Sequence, residues 1–429
     1  MGFSNTGFSN IMDSNSYTGR SADPETEKLI EARTRLLGPA YRLFYERPVH
    51  LVRGSGSHLF DADGVRYLDA YNNVVSVGHC HPRVVAAMTR QAETLNTHTR
   101  YLHEGILDYS QRLLDTLGLD QVMYACTGSE ANDLALRVAQ RYTGARGVIV
   151  TSEAYHGNTE AVTAISPSIG GATSIGPHVR TVAARPLDVT AAIADLQDSG
   201  HGVSCLIVDT IFASDGIYPD PSALAPAVAA VRAAGGVFIA DEVQPGFGRT
   251  GEAMWGFVRH GVVPDLVTMG KPMANGLPVA AMAARGEVLG AFAREVPYFN
   301  TFGGNPVSMA AAAAVLDVIE DEELMTNAAR VGTALRAELT RLTADHPRVG
   351  EVRGAGLYVG VEMVTDRDSA GPDRAAAHDL VNAMRDRKVL ISVCGAQGSV
   401  LKVRPPLVFS LSDVDWFCTE FADALRDLR

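Results

Sequence analysis

Two residues at the ends of apolar runs have side chains that can do covalent or acid–base chemistry. Lys271 comes two residues after the run Leu266–Met269, and Asp241 directly follows the run Val237–Ala240. Burying an ammonium group is costly, so Lys271 either extends its amine to solvent or becomes neutral and forms a Schiff base. The Asp241 carboxylate either caps a helix or supplies a charge to a ligand bound beyond the strand ends.

A second group of residues has the types needed to hold an anion beside a flat ring. Thr127 and Glu130 lie three residues apart, which predicts a capping box at the start of a helix. The free backbone N–H groups of Gly128 and Ser129, with the serine hydroxyl, are suited to a phosphate, although a plain capped helix is the other reading. Tyr155 follows an apolar run, where it either packs in the core or stacks on a ligand.

Together these features match the needs of one cofactor, pyridoxal phosphate. That cofactor requires an anion cradle, a surface to stack on, an acid beside its pyridine nitrogen and an amine for its aldehyde. The acid matters most, because it keeps the ring nitrogen protonated and so makes the ring an electron sink. The order and spacing of the four features therefore predict a pyridoxal-phosphate enzyme.

The elements that must position these residues are buried strands alternating with helices. Four apolar runs are nearly continuous, which is typical of strands covered on both faces in a parallel sheet; they are Gly147–Val150, Val203–Val208, Gly236–Ala240 and Leu266–Met269. Helical stretches such as Ala223–Ala234 lie between them. This alternation predicts an α/β domain.

The chain divides into four predicted parts. The Ser-, Asn- and Gly-rich start predicts a disordered N-terminal extension over 1–22. A helix and a hairpin then form the N-terminal segment of a small domain over 23–75. A large cofactor-binding α/β domain follows over 76–326, and a C-terminal small α+β domain occupies 327–429.

Composition and charge argue against several kinds of partner and site. Lys and Arg total 37 against 49 Asp and Glu, a formal net charge of −12, so we expect no nucleic-acid partner. We expect no membrane association either, because no apolar run approaches the ~18 residues of a membrane span. The five cysteines are scattered and lack CxxC spacing. We therefore expect no disulfide framework, no metal site and a cytoplasmic location.

From about residue 25 to 427 the sequence resembles the class III (ornithine/GABA-type) aminotransferase family of fold type I pyridoxal-phosphate enzymes. The most specific segment is DEVQPGFGR at 241–249, with Gly270-Lys271 placing the lysine 30 residues after the aspartate. Further segments that carry the resemblance are Gly78–Pro82, Gly128–Ala131, Tyr155–Gly157 and Thr301–Pro306. The implied fold class is α/β, with a large, mostly parallel-sheet domain and a smaller α+β domain.

The resemblance implies roles for individual residues. Lys271 would bind the cofactor aldehyde and shuttle protons, Asp241 would pair with the pyridine nitrogen, and Gln244 would lie near the phenolic oxygen. Thr301 would reach the cofactor phosphate of a neighbouring subunit, which implies a homodimer or a dimer of dimers. The complete set of implied cofactor contacts is Gly128, Ser129, Tyr155, His156, Asp209, Asp241, Gln244, Lys271 and Thr301.

The sequence departs from the family pattern at two positions. Asp209 stands where many relatives have a glutamate that is one methylene longer. Lys402 stands three residues before Pro405-Pro406, where members acting on α-amino acids usually have an arginine that grips the α-carboxylate. Arginine forks onto a carboxylate with two hydrogen bonds and lysine does not. Lys402 therefore argues against ordinary recognition of an α-carboxylate.

The same segments, with the runs Asn72–Val74 and Leu95–His103, are similar to the phospho-lyase branch of the family, which eliminates phosphate from phosphoethanolamine or related amines. Candidate substrate contacts are Arg42, Asn73, Arg100, Lys402 and Arg404. A transaminase acting on amines or ω-amino acids is the alternative. A catalytically silent scaffold is disfavoured, because every residue that the cofactor needs is present.

Overall fold

Strands and helices alternate along the chain and build three sheets. The computed structural model describes residues 10, 13, 15–19, 23–170 and 175–428. The α-helices of these residues are α1 Pro24–Leu37, α2 Pro82–Thr94, α3 Glu104–Leu117, α4 Gly128–Thr143, α5 Glu160–Thr163, α6 Pro167–Gly170, α7 Thr190–Asp198, α8 Ala225–Ala233, α9 Gly286–Ala293, α10 Pro306–Asp321, α11 Leu324–Thr343, α12 Arg374–Asp386 and α13 Leu411–Asp427.

The strands are short, and most of them are buried. Their bounds are β1 Leu51–Ser55, β2 His58–Asp61, β3 Arg66–Asp69, β4 Gln121–Ala125, β5 Gly147–Thr151, β6 Val179–Val182, β7 Val203–Asp209, β8 Val237–Asp241, β9 Leu266–Met269, β10 Ala280–Ala284, β11 Val349–Ala355, β12 Tyr358–Met363, β13 Val389–Leu390, β14 Ser392–Cys394 and β15 Val400–Val403. The four predicted apolar runs form β5, β7, β8 and β9 to within one residue at each end.

The largest sheet has seven strands in the order β4-β10-β9-β8-β7-β5-β6. Strands β9, β8, β7, β5 and β6 run parallel, and β10 is antiparallel to β9 and β4. This confirms the predicted α/β class with a mostly parallel sheet. The carboxyl ends of β7, β8 and β9 meet at one edge, so Asp209, Asp241 and the residues after Met269 come together there.

Helix α4 starts at that same edge because of its cap. The Thr127 hydroxyl accepts a hydrogen bond from the Glu130 amide at 3.2 Å, and the Glu130 carboxylate accepts one from the Thr127 amide at 2.9 Å. This is the predicted capping box. The buried face of α4 packs on β9 and β10, which holds the backbone of Gly128 and Ser129 beside the strand ends.

Two four-stranded sheets lie outside the large one, in the orders β1-β2-β3-β13 and β11-β12-β15-β14. In the first, β3 pairs in parallel with β13, with Leu68 opposite Val389. The N-terminal and C-terminal segments of the chain therefore share a sheet, as the small domain predicted from 23–75 and 327–429 would require. The domain boundaries themselves stay a prediction.

Part of the N-terminal extension predicted over 1–22 makes backbone hydrogen bonds to a later segment of the chain. Tyr17 donates its amide to the Leu43 carbonyl at 2.8 Å, and Tyr45 donates its amide to the Asn15 carbonyl at 3.0 Å. These bonds satisfy backbone groups that would otherwise need water. Residues 15–17 are therefore bonded to the chain around residues 43–45. Most of the remaining extension lies outside the described residues, and disorder over 1–22 stays a prediction.

Two further expectations concern the membrane and the cysteines. Within the described ranges, no helix is long and apolar enough to cross a membrane. All five cysteines are described, and their thiols are free.

Candidate active site

A cavity of about 240 Å³ opens at the carboxyl edge of the seven-stranded sheet. Eight of the nine residues expected to contact a cofactor line it: Gly128, Ser129, Tyr155, His156, Asp209, Asp241, Gln244 and Lys271. The ninth, Thr301, is exposed elsewhere on the surface. The sequence pattern and the fold therefore bring nearly all of the predicted cofactor residues into one place.

The Asp241 carboxylate is buried at the end of β8 and receives three hydrogen bonds. His156 Nδ1 lies 2.7 Å and Asn132 Nδ2 3.0 Å from its Oδ2, and the Val243 amide lies 3.0 Å from its Oδ1. Hydrogen bonds to the charged form of a carboxylate favour that form. These donors thus orient the Asp241 carboxylate, which lines the cavity.

Lys271 begins a short 3-10 helix, Lys271–Ala274, just after β9. Burial lowers the pKa of its amine and the charge of Arg404 lowers it further, whereas Asp241 and Asp209 oppose the shift. A lysine with a lowered pKa has a larger share of the neutral form, which can act as a nucleophile or a base. This is the chemistry predicted from its place at the end of a buried strand.

The anion cradle depends on glycine at two positions. A Cβ on Gly157, which has φ +136°, would lie 2.3 Å from Ser129 Oγ, and one on Gly128 would lie 3.2 Å from a Val243 methyl carbon. Ser129 Oγ also donates to Asn158 Oδ1 at 3.0 Å and accepts from the Asn158 amide at 3.1 Å. A side chain at position 157 would thus clash with Ser129, and one at position 128 would crowd Val243.

This set of groups fits pyridoxal phosphate. The start of α4 and the Ser129 hydroxyl suit the phosphate, Asp241 suits a protonated pyridine nitrogen, and Lys271 suits the aldehyde. Tyr155 lines the wall of the same cavity. The residues present therefore match each part of the cofactor that was expected from the sequence.

Asp209 contacts protein groups in spite of its shorter side chain. Its Oδ2 accepts from Gln244 Nε2 at 3.3 Å, and its Oδ1 accepts from the Ile211 amide at 3.1 Å. Burial and the charge of Asp241, its neighbour across the two strands, raise the pKa of Asp209 to about 6. Asp209 therefore orients Gln244, and its role toward a cofactor stays a prediction.

A second cavity of about 170 Å³ adjoins the first and shares Lys271, Tyr155 and Gln244 with it. Three more cationic residues line it: Arg42, Lys402 and Arg404. None of the described residues that line it is acidic. The two cavities thus differ in charge, with the carboxylates at the strand ends and the cations on the side of the smaller sheet.

The cations of this second cavity are held in different ways. Arg404 donates to the Gln244 side-chain oxygen, and its guanidinium carbon lies 4.9 Å from the Tyr71 ring centroid. Lys402 lies in the buried strand β15, where burial and Arg404 lower its pKa to about 8. Arg42 is half exposed, and its Nε bonds Asp13 Oδ1 at 2.6 Å.

Three other predicted residues lie outside both cavities. Arg100 is exposed, with its guanidinium carbon 6.0 Å from the Phe299 ring centroid, and Thr301 follows Phe299 by two residues on the same surface. Asn73 is buried, and its Nδ2 finds no hydrogen-bond partner within the described ranges. The assignments of Arg100, Thr301 and Asn73 to a site stay predictions.

Asn132 is a site residue that the sequence reasoning did not single out for a role. It is buried on α4 and bonds the Asp241 carboxylate directly. Its position three residues after Ser129 was the available signal, because that spacing puts it about one turn further along the helix face that holds Ser129.

Comparisons with known proteins agree with this geometry. The family model described as aminotransferase class-III matches residues 44–425. The chain is 40% identical to an alanine–glyoxylate aminotransferase 2-like protein of Drosophila melanogaster, over 92% of this chain and 86% of the relative. It is 35% identical to ethanolamine-phosphate phospho-lyase homolog 1 of Caenorhabditis elegans, over 90% and 91% of the two chains.

Among solved structures, the fold is similar to that of a phospholyase from Arthrobacter in complex with phosphoethanolamine. The TM-score is 0.90 and the sequence identity 42%, over 94% of this chain and all of the other. The protein is therefore a member of the class III aminotransferase family, with the fold type I architecture of enzymes that depend on pyridoxal 5'-phosphate.

Proposed function

We propose that this protein is a phospho-lyase that eliminates phosphate from O-phosphoethanolamine, or from a similar phosphorylated amine, to give acetaldehyde, ammonia and phosphate. The observation that carries the proposal is the cavity beside Lys271, whose described lining contains Arg42, Lys402 and Arg404 and no acidic residue. The acid paired with Arg42, Asp13, lies outside this lining. A substrate whose amine reaches Lys271 can place an anion among these cations.

Charge favours a phosphate over an α-carboxylate at this place. A phosphate monoester carries nearly two negative charges at neutral pH, because its second pKa is about 6, and its desolvation has to be offset by several cations. Lys402 is a point charge without the fork geometry of arginine. Arg404 lies two residues further along the chain and has that fork geometry, but it already donates a hydrogen bond to Gln244.

The elimination assigns a task to each group. When bound, pyridoxal phosphate supplies an aldehyde that carries the substrate amine and a ring that accepts an electron pair. Lys271 Nζ takes a proton from the carbon that bears the nitrogen, and Asp241 holds its negative charge against the ring nitrogen. Arg42, Lys402 and Arg404 hold the phosphate as it departs.

The bonds and electrons of the elimination balance without an oxidant or a keto acid. The C–O bond to phosphate breaks, phosphate keeps the electron pair, and a C=C bond forms between the two carbons. The resulting enamine takes a proton on its terminal carbon, and water hydrolyses it to acetaldehyde and ammonia. Only water is consumed besides the substrate.

Relatives support both this reaction and an alternative. The Arthrobacter phospholyase with phosphoethanolamine is 42% identical, and the Drosophila relative is described as an aminotransferase. An ω-transaminase would use the same Lys271 and Asp241.

The test is to incubate the protein with phosphoethanolamine and no keto acid, and to assay phosphate and acetaldehyde. A panel of amines with pyruvate or glyoxylate is assayed in parallel for amino transfer. Both products are expected; amino transfer from the panel without phosphate release would establish the alternative.

We also infer a homodimer in which the surface around Thr301 meets a second copy. Several large apolar side chains are exposed on the segments 101–107 and 299–302, and Leu102 is 99% exposed. Exposed apolar clusters of this kind mark interaction surfaces. The role of Thr301 implied by the family resemblance would make the active site complete only in the dimer.

Removing the Lys271 amine is expected to abolish turnover. In Lys271→Ala, the visible absorption of the lysine-linked cofactor and phosphate release should both be lost, because no other amine lines the cavity of Asp241 among the described residues. Lys28→Ala, at an exposed position of α1, is the control and should behave as wild type. Full activity of Lys271→Ala would contradict the mechanism.

Neutralising the cationic cavity is expected to weaken substrate binding but not cofactor binding. Lys402→Met and Arg42→Met should raise the KM for phosphoethanolamine by about tenfold or more, since each removes a hydrogen bond to a charged group, while the cofactor Kd stays within about twofold. Arg47→Met removes an exposed arginine of the same N-terminal segment and should change neither. Unchanged KM values in both test variants would remove the physical basis of the proposal.

Substrate affinity is expected to fall at alkaline pH. The pKa of Lys402 lies near 8, so this side chain is charged below that pH and loses its charge as pH rises through it, whereas the substrate phosphate keeps its two charges. The KM for phosphoethanolamine should therefore rise above about pH 8. In Lys402→Arg the charge persists, and the rise should disappear. An identical alkaline rise in this variant would exclude Lys402 as its source.

The proposed dimer is expected to be required for activity. Leu102→Asp and Phe302→Asp place a charge on the proposed interface, so sedimentation velocity should show dissociation and the assay a loss of turnover at the same protein concentration. Val263→Asp puts the same charge on an exposed apolar residue of another segment and should leave the dimer intact. A fully active monomer would disprove the requirement.

A further inference from the structure

Asn132 lies beside the ends of β8 and β9, and both the nitrogen and the oxygen of its side-chain amide are hydrogen-bonded. Its Nδ2 donates to Asp241 Oδ2 at 3.0 Å and to the His156 carbonyl at 2.8 Å, and its Oδ1 accepts from Thr268 Oγ1 at 2.6 Å. Asn132 and Thr268 are both buried, and Thr268 is the direct neighbour of Asp241 in the sheet. The three side chains form one connected chain of hydrogen bonds.

The Thr268 hydroxyl decides which way the Asn132 amide faces. A flipped amide would set its carbonyl oxygen against the Asp241 carboxylate and the His156 carbonyl, two groups that only accept hydrogen bonds. In the observed orientation, both N–H groups of the Asn132 amide have acceptors. Asn132 Oδ1 accepts a hydrogen bond from the Thr268 hydroxyl. A buried acceptor left without a donor would be costly, so the hydroxyl and the amide fix each other.

We propose that Asn132, oriented by Thr268, is a positioning residue that keeps the Asp241 carboxylate aimed at the cofactor ring nitrogen. His156 supplies the second side-chain donor to the same Oδ2 atom at 2.7 Å. Asn132 adds the donor that comes from α4, the helix whose first residues form the anion cradle. Cradle and acid are thereby joined by one side chain, and the distance between them is fixed.

This inference goes beyond the proposed function, because elimination and amino transfer both depend on Asp241. Its test can therefore be read without a substrate. The apoenzyme is titrated with pyridoxal 5'-phosphate, and the cofactor Kd and the pH dependence of the visible absorption are recorded. Turnover of phosphoethanolamine and the melting temperature of the apoenzyme are measured in parallel.

Four variants separate positioning from a merely structural role. Thr268→Val removes the hydroxyl at nearly constant volume, and Thr268→Ser keeps it. Asn132→Leu removes the amide. Thr343→Val is the matched control, because Thr343 is another buried threonine, and its hydroxyl donates to the Leu339 carbonyl within α11.

Loss of a hydrogen bond to a buried charge predicts an effect of about tenfold to a hundredfold. Asn132→Leu should raise the cofactor Kd and lower kcat by that amount, with the KM for phosphoethanolamine within about twofold of wild type. Thr268→Val should also raise the cofactor Kd and lower kcat, each by about tenfold. Thr268→Ser should have a cofactor Kd and kcat close to those of the wild type. Thr343→Val should change only the melting temperature.

Three results would overturn the proposal. One is a cofactor Kd and kcat of Thr268→Val that match those of Thr343→Val. Another is a Thr268→Ser variant as impaired as Thr268→Val, since the hydroxyl would then not be the cause. The third is an absorption spectrum with unchanged pH dependence in Asn132→Leu. If Asn132→Leu fails to fold, the comparison of Thr268→Val with Thr268→Ser tests the proposal by itself. If the wild-type protein releases no phosphate, the proposed function fails, but the cofactor titration still tests the role of Asn132.

Discussion

The structure depends on one constraint, which is that the Asp241 carboxylate is buried at the end of β8 and needs hydrogen-bond donors there. A buried carboxylate without donors would take up a proton. His156, Asn132 and the Val243 amide meet the requirement, and each of them comes from a different element beside the strand end. The loop after β5, the first turns of α4 and the turn after β8 are thereby drawn to one point.

The position of the strand ends also explains how charge is distributed over the two cavities. The parallel strands β7 and β8 end in Asp209 and Asp241 side by side, so acids gather at the edge of the large sheet. The cations Lys402 and Arg404 come from β15 and the residue after it, in a different sheet. Lys271 lies between the two groups, and the proposed substrate spans them, with its amine at the lysine and its phosphate among the cations. Arg404 and Gln244 connect the two sides through one hydrogen bond.

Local sequence was sufficient to predict the strands and the cofactor cavity. Continuous apolar runs mark buried parallel strands whatever surrounds them, and Asp241 and Lys271 are placed by being next to such runs. The capping box at Thr127 and Glu130 was predictable for the same reason, since both partners lie within one turn. The proposed class of substrate was suggested by Lys402, because its position relative to Pro405-Pro406 belongs to the pattern of the family.

Long-range contacts were not predictable in this way. The bond from Asn132 to Asp241 joins residues 109 positions apart, and no periodicity reports which face of α4 meets which strand end. The pairing of Asn15 with Tyr45 likewise depends on a partner that a Ser- and Asn-rich segment does not reveal. Arg100 and Thr301 lie on one exposed surface, away from the cavities of their own chain, so a single sequence cannot say what they contact.

The most direct measurement is the number of phosphate ions released per active site. Protein loaded with pyridoxal 5'-phosphate is mixed with excess phosphoethanolamine in the absence of any keto acid, and free phosphate is counted against the concentration of Lys271-bound cofactor. Elimination regenerates the enzyme at each cycle, so we expect many phosphate ions per site, with acetaldehyde in equal amount. Amino transfer stops after one event per site without an acceptor, so at most one phosphate per site, or none, would contradict the proposed function.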